Sequence, residues 1–252
     1  MLIGYLRALL ITDPAIILAT IVLGTVSLIT SLFDASGNTQ HRVARFWSRI
    51  LLVFGGVSVK VSGLDQLRDQ HSCVLVSNHL SLMDTPVVIA HIPLQFRFFA
   101  KKGLFRIPFL GTHLRRAGHF PVVRGDARAS LKSLTDGAKT IRERKISVLL
   151  FPEGGRSGGR LRAFKQGFAY LAIKSGVPVV PIGIAGTREI LPMGSVNIRP
   201  GPVRLRIGEP IPTKDLKPHD RDRLTALVRE RIAELSGSPL EEPETAAQDS
   251  EI

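Results

Sequence analysis

Cysteine is nearly absent: the 252-residue chain has one, Cys73. A single thiol excludes a disulfide framework and any site built from several cysteines. Aromatic residues are also few, at 6%, with one Trp and two Tyr. That leaves little material for stacking the bases of single-stranded nucleic acid. Acidic residues are scarce as well, 21 against 34 Lys and Arg, a net charge of +13. Gly and Pro are present in ordinary numbers without a period, and the apolar fraction of 44% excludes a disordered or collagen-like chain. No internal repeat is visible. The length suits one domain with an appendage. The excess of positive charge asks for an anionic partner: nucleic acid, an anionic membrane surface or a phosphorylated small molecule.

The charge is unevenly spread. Residues 239–252 hold Glu241, Glu242, Glu244, Asp249 and Glu251 and no basic residue, which predicts a disordered acidic tail. Without those five acids the chain has 34 basic and 16 acidic residues, or +18. At the other end, Pro14 to Phe33 carries no charge over twenty residues. As a helix this spans roughly 30 Å, the thickness of a bilayer's hydrocarbon core. Arg7 and Asp13 cancel before it, and Arg42, Arg45, Arg49 and Lys60 follow it. The positive-inside rule then puts the body of the chain on the cytoplasmic face of the inner (cell) membrane. Arg45, Phe46, Trp47 and Ile50 to Phe54 mix cations, aromatics and aliphatics, as in a helix at headgroup level. Hydropathy leaves open whether the N-terminus spans the bilayer or dips into one leaflet.

Between these ends, periodicity predicts alternating strands and helices. Strands are expected at Val57 to Val61, Cys73 to Val76, Phe96 to Ala100, Ser147 to Phe151, Val177 to Ile184 and Val203 to Ile207, and a short one closed by Arg124. Helices are expected at Ala129 to Arg144, with Leu131, Leu134, Ala138 and Ile141 on one face, at Phe164 to Ser175 with Gly176 as C-cap, and at Asp220 to Leu235. The fold class is α/β: a central, mostly parallel or mixed sheet flanked by helices, with an N-terminal membrane-associated helical segment. The expected division is residues 1–56 for the membrane-associated helices, 57–238 for the main domain and 239–252 for the tail. Cys73, inside an apolar strand, reads as a buried inert thiol.

Two clusters follow apolar strands, where the carboxyl ends of an α/β sheet open into crevices. The first runs from Ser77 to Asp84 and contains His79 and Asp84. On a regular helix these two would stand about 140° apart, so they meet only across a strand-to-helix turn. Ser81 is expected to cap that helix, with Asp84 in its first turn. Asp84 accepting the Nδ1 proton of His79 would leave Nε2 free as a general base. Plain capping, with His79 a loop residue, is the other reading of these residues. The second cluster is Phe151 to Ser157. Gly154 and Gly155 let backbone amides approach a ligand, and Arg156 offers a planar fork for phosphate. Arg160, Arg162 and Lys165 extend the positive surface. No Gly-Lys-Ser/Thr follows, so this is not a Walker A loop. Between the clusters, Ala100 to Gly111 alternates Lys101, Lys102 and Arg106 with large apolar residues, a mixture suited to an anionic head on a greasy chain.

Asn78 to Asp84, Lys101 to Gly111, Phe151 to Ser157 and Val180 to Gly183, in that order, resemble the four motifs of the glycerolipid acyltransferases, above all the bacterial 1-acylglycerol-3-phosphate acyltransferases. The resemblance runs from about Arg45 to Pro212. It implies that His79 removes the proton of an acceptor hydroxyl, that Asp84 orients and charge-balances the imidazole, and that the alkoxide attacks a fatty acyl thioester without an acyl-enzyme. Lys101, Lys102 and Arg156 would hold the phosphate of lysophosphatidic acid. Glu153, Gly154 and Gly155 would lie at the substrate, with backbone amides there helping to stabilise the oxyanion. The implied partners are acyl-CoA or acyl carrier protein as co-substrate and anionic membrane lipids, with no bound cofactor, no metal and no nucleic acid. Two positions depart from the family: Gly155 stands where Thr is usual and Gly103 where Glu is common. Gly155 keeps open another lyso-lipid acceptor, a lysophospholipid or lyso-ornithine lipid.

Overall fold

Short apolar runs become strands because alternate side chains find cover on opposite faces. The computed structural model describes residues 7–122 and 127–241. The acidic stretch 242–252 and the strand end expected at Arg124 lie outside the described residues. Among these, seven strands form one sheet: β1 (Val57–Ser62), β2 (Val74–Ser77), β3 (Phe96–Lys101), β4 (Phe120–Val122), β5 (Ser147–Leu150), β6 (Val179–Ala185) and β7 (Gly201–Ile207). Their order is β1-β7-β6-β2-β5-β3-β4. Only the β6–β7 pair is antiparallel, with Ala185 opposite Arg204. The sheet is therefore mixed and mostly parallel, as expected.

The helices are α1 (Asp13–Thr30), α2 (Asn38–Gly55), α3 (Asp84–His91), α4 (Leu110–Arg116), α5 (Ala127–Arg144), α6 (Gly167–Ser175), α7 (Thr187–Ile190) and α8 (Arg221–Ser236). On one face of the sheet, Cys73, Leu75 and Leu149 pack with Leu51 and Leu52 of α2 and Val87 and Val88 of α3. On the other, Val74, Val76, Val148 and Leu150 pack with Ala138 and Ile141 of α5, Phe168 and Leu171 of α6, and Val228 of α8. The period of two divides each central strand between two cores.

Two expectations about α5 and α6 need correction. Leu131 is 51% exposed, although Ala138 and Ile141 of the same helix are fully buried. The neighbouring strand β4 is a three-residue edge strand, so the first turns of α5 have little to cover. The helix expected from Phe164 begins at Gly167. Lys165 instead spends its N–H on the Pro152 carbonyl, 3.0 Å away, which holds it in the loop. Gly176, with φ of 71°, caps the helix as expected.

α1 and α2 form an antiparallel hairpin. Arg7 and Thr12 donate to the carbonyls of Gly55 and Phe54, and Trp47 donates to Thr20 Oγ1. The turn between them carries Gly37 at φ 77°, where a Cβ would lie 2.5 Å from the Ala117 carbonyl oxygen. A buried polar junction ties this turn to the domain. Arg97 Nη2 donates to the Ser36 carbonyl and Asn38 Oδ1, both at 2.9 Å. Burial lowers the Arg97 guanidinium to about 10. Arg45 corrects its expected place among headgroup cations. It turns inward and donates to the carbonyls of Ile89, Ile92 and Leu94 at the end of α3, where the helix leaves carbonyls unpaired.

His41 completes the junction. Burial, then the charges of Arg45 and Arg97, push it down to about 3. Burial also lowers His113 and His119. Each is therefore neutral in the fold but titrates near 6.5 when unfolded. Between pH 6.5 and 3 the unfolded chain binds more protons at His41, so stability falls as the pH drops, by up to about 1.4 kcal/mol per pH unit for such a group. Thermal melts should show Tm decreasing from pH 7.5 to 5, less steeply in His41→Gln. A Tm that is flat over that interval contradicts this account of the junction.

Candidate active site

The site forms at the carboxyl ends of β2, β5 and β6, three neighbouring parallel strands. Asn78 follows β2 and uses both ends of its amide on β6. Its Nδ2 donates to the Ile184 carbonyl and its Oδ1 accepts the Ile184 N–H, each at 2.8 Å. This fixes the chain immediately before His79.

Asp84 is the first residue of α3 and is fully buried. Its Oδ2 lies 2.8 Å from His79 Nδ1 and accepts the N–H groups of Leu80 at 2.7 Å and Ser81 at 2.9 Å. Its Oδ1 accepts the Thr187 hydroxyl at 2.5 Å. An oxygen already receiving two backbone donors is an acceptor, so Nδ1 of His79 carries the proton and Nε2 presents a lone pair. The His79 ring stacks on Phe151, with centroids 4.3 Å apart, and its side chain is 18% exposed. The capping expected of Ser81 takes a different form. Ser81 Oγ donates to the Leu191 carbonyl at 2.7 Å and accepts the Met83 N–H at 3.2 Å, within the turn ahead of the helix. The dipole end it was expected to serve is occupied by Asp84 itself.

The loop after β5 grips the same segment from the other side. Glu153, 7% exposed, takes the His79 N–H on Oε1 at 2.7 Å and the Arg162 N–H on Oε2 at 3.1 Å. Ser157 donates its N–H to the His79 carbonyl at 2.8 Å. Both ends of the His79 residue are thus held by this loop. Burial raises the Glu153 carboxyl, opposed by those backbone donors. Gly154 has a φ of 72°, and the Lys165 side chain lies 3.0 Å from where its Cβ would stand. The Gly154 N–H bonds to the Phe151 carbonyl at 3.2 Å. The Arg162 guanidinium lies 3.9 Å from the corresponding point of Gly155.

Arg156 follows β5 and is half-buried, whereas Lys101 and Lys102, at the end of β3, are exposed. β3 is separated from β2 by β5 alone, about 10 Å away at ordinary strand spacing. Among the described residues none of these three cations has an acidic partner within ion-pair distance. The structure brings Asp84 and Glu153 each into direct contact with His79, whereas Lys101 and Lys102 stand on β3 and the turn after it, one strand removed from the loop of Arg156. Cys73 is buried with its thiol pushed up to about 12, which removes it as a nucleophile. Among the described residues there is no cluster of three or more His, Cys, Asp or Glu side chains placed to hold a metal.

Sequence reasoning missed Thr187 as a member of the site, and it named Phe151 within the second cluster without foreseeing its stack on the His79 ring. Thr187 had a usable signal: it follows a buried apolar strand, as both recognised clusters do.

The sequence model of the family described as Acyltransferase matches residues 58–185, from β1 to the end of β6. The chain belongs to the acyltransferase family. His79, Asp84, Lys101, Lys102, Glu153 and Arg156 fall within the matched stretch, and Thr187 lies two residues beyond it. This acyltransferase is 37% identical over 175 residues to "1-acyl-sn-glycerol-3-phosphate acyltransferase BAT2, chloroplastic" of Brassica napus, covering 68% of this chain and 50% of the relative. It is 27% identical over 185 residues to the 1-acyl-sn-glycerol-3-phosphate acyltransferase of Borreliella burgdorferi, covering 73% and 74%. The crystal structure of the 1-acyl-sn-glycerophosphate (LPA) acyltransferase PlsC from Thermotoga maritima has a TM-score of 0.74 and 25% identity, covering 92% of this chain and 97% of that one. The matched part of the acyltransferase spans about half the length of the plant relatives, 50% and 48% for those of Brassica napus and Arabidopsis thaliana.

Proposed function

We propose that this acyltransferase moves a fatty acyl group from an acyl thioester to the free hydroxyl of 1-acylglycerol-3-phosphate, giving phosphatidic acid. The observation that carries the reading is the 2.8 Å contact of His79 Nδ1 with the buried Asp84 carboxylate. It leaves Nε2 as the base. Nε2 takes the hydroxyl proton, and the alkoxide oxygen bonds to the thioester carbonyl carbon. The tetrahedral oxyanion then collapses, the C–S bond breaks, and the thiolate leaves with the proton held by the imidazolium. Asp84 stays ionised and balances the imidazolium. Glu153 acts as a positioning residue through the His79 backbone. Because the Gly154 N–H is committed to Phe151 and the Ser157 N–H to the His79 carbonyl, the oxyanion role falls to the amides of Gly155 and Arg156. Lys101, Lys102 and Arg156 hold the acceptor's phosphate. The relatives' names support this acceptor.

The site works at a membrane surface. The helix Leu10–Thr30 is long and apolar enough to cross a bilayer, yet little of it is buried, and Ile17, Leu18, Ile21 and Ile29 face outward. It is tied to α2 near one end and, near the other, by Ser27 Oγ to His113 Nδ1 of α4, at 2.7 Å. Both ties favour a helix lying in one leaflet along the domain. Exposed Phe109 and Ile107 extend the apolar surface beside α4, and exposed Arg42 and Arg49 meet anionic headgroups on the cytoplasmic face.

Direct transfer has a kinetic signature. With acyl thioester alone, thiol release should stay at the background rate, without a burst stoichiometric with enzyme. Lysophosphatidic acid should start release together with phosphatidic acid. A burst in the absence of acceptor indicates an acyl-enzyme and overturns the mechanism.

A further inference from the structure

We propose that a cavity on the β6–β7 side of His79 receives the phosphopantetheine arm of the acyl donor, with Arg204 binding its phosphate. This rests on the acyl-transfer reading above and extends it to the second substrate. The cavity has a volume of about 370 Å³ and is bordered by Leu80, the residue next to His79. Arg188 and Arg204 line it, together with one acid, Glu189. The lining is therefore net positive by one charge. The remaining wall is open and more polar than apolar, made mostly of glycines, serines and short side chains from the loop at Gly159, the turn at Gly186 and the end of α8. Such a wall suits a slender arm carrying amides and one phosphate. A fatty chain would want an apolar wall.

Arg204 points outward from β7, opposite Ala185 at the end of β6, and has no hydrogen-bond or ion-pair partner among the described residues. An uncommitted guanidinium at a cavity rim is suited to bidentate phosphate binding. Arg188 is committed, donating to the Gly158 carbonyl. It reaches the rim because Gly159, at φ 111°, has no side chain: a Cβ there would lie 2.7 Å from Arg188 Nη1. Arg188 thus shapes the rim, while Arg204 is free to bind.

The topology sets this cavity apart from the acceptor's cations. β5 and β3, carrying Arg156, Lys101 and Lys102, lie on one side of β2, while β6 and β7 lie on the other. His79 stands between two cationic groups, each within about two strand spacings, or ~10 Å. A base that joins two phosphate-bearing substrates needs them to arrive from different sides, so that hydroxyl and thioester carbonyl meet at Nε2. The arm is common to coenzyme A and to acyl carrier protein.

The test compares acyl-4′-phosphopantetheine with acyl-pantetheine of the same chain length, at saturating lysophosphatidic acid. Wild type should prefer the phosphorylated donor in kcat/KM by about tenfold or more. Arg204→Gln should bring that ratio close to one, and Arg204→Lys should restore part of it, with the KM for lysophosphatidic acid unchanged in both. Parallel assays with acyl-CoA and acyl carrier protein should both show kcat/KM falling in Arg204→Gln, because the arm and its phosphate are common to the two carriers; a fall with neither would overturn the proposal. A donor ratio unaffected by Arg204→Gln, a ratio of one in wild type, or a rise in acceptor KM instead would overturn the proposal. If wild type makes no phosphatidic acid, the acyl-transfer reading fails on its own. Calorimetric binding of coenzyme A then still decides the cavity: about tenfold weaker binding to Arg204→Gln supports it, and equal binding overturns it.

Discussion

Replacing His79 by Ala should lower kcat for acyl transfer by roughly 10²–10⁴-fold, the usual contribution of a positioned general base. The protein should still fold. Without the imidazole, Asp84 Oδ2 keeps the Leu80 and Ser81 N–H groups and Oδ1 keeps the Thr187 hydroxyl, so the buried carboxylate is not orphaned. The packing loss is mainly the Phe151 stack, worth about 0.5–1.5 kcal/mol. The cations proposed to hold the phosphate stand on other loops, so the KM for the acceptor should hold. Steady-state kinetics with a thermal melt of the same preparation separate the two effects. Near-normal turnover in this variant would show that the base lies elsewhere.

Asp84 separates charge from geometry. In Asp84→Asn the amide oxygen can take the place of Oδ2, facing His79 Nδ1–H and the two backbone donors, while its NH₂ meets the Thr187 oxygen, which can accept. The tautomer and the turn survive, and only the charge that balances the imidazolium is lost. We expect kcat to fall by roughly 10²-fold or more, with Tm little changed. Asp84→Ala should behave differently. It leaves Leu80 N–H, Ser81 N–H and the Thr187 hydroxyl without an acceptor at a fully buried position, each costing about 1–3 kcal/mol. Its Tm should drop along with its activity. Full activity in Asp84→Asn would remove the charge-balancing role, and an unchanged Tm in Asp84→Ala would contradict the hydrogen-bond account.

What the sequence made legible was local. Strand periods placed the β-strands of the described residues to within a few residues, and two clusters after apolar runs identified the carboxyl ends of the strands where the site lies. The rest depended on contacts across the chain. Thr187 reaches Asp84 over 103 residues, Glu153 reaches His79 over 74, and Asn78 reaches Ile184 over 106. No window of sequence contains those pairs. Arg45 reads as a membrane cation from its neighbours, yet the exposed carbonyls at the end of α3 draw it inward. Leu131 reads as core from its spacing, but the edge strand beside its helix is too short to cover it. Charge followed the same pattern. The strand order sets Lys101, Lys102 and Arg156 on one side of β2 and Arg188 and Arg204 on the other, a separation that the +18 left when the acidic tail is set aside does not contain.

The most direct measurement is acceptor discrimination by the purified, detergent-solubilised protein. It should be offered lysophosphatidic acid, a lysophospholipid, a lyso-ornithine lipid and the matching monoacylglycerol with one acyl thioester. Lysophosphatidic acid should be preferred in kcat/KM, and Arg156→Ala should erase most of that preference, Arg156→Lys only part. Equal or better use of a phosphate-free acceptor by the wild-type protein would contradict the assignment of the acceptor and the role given to Arg156.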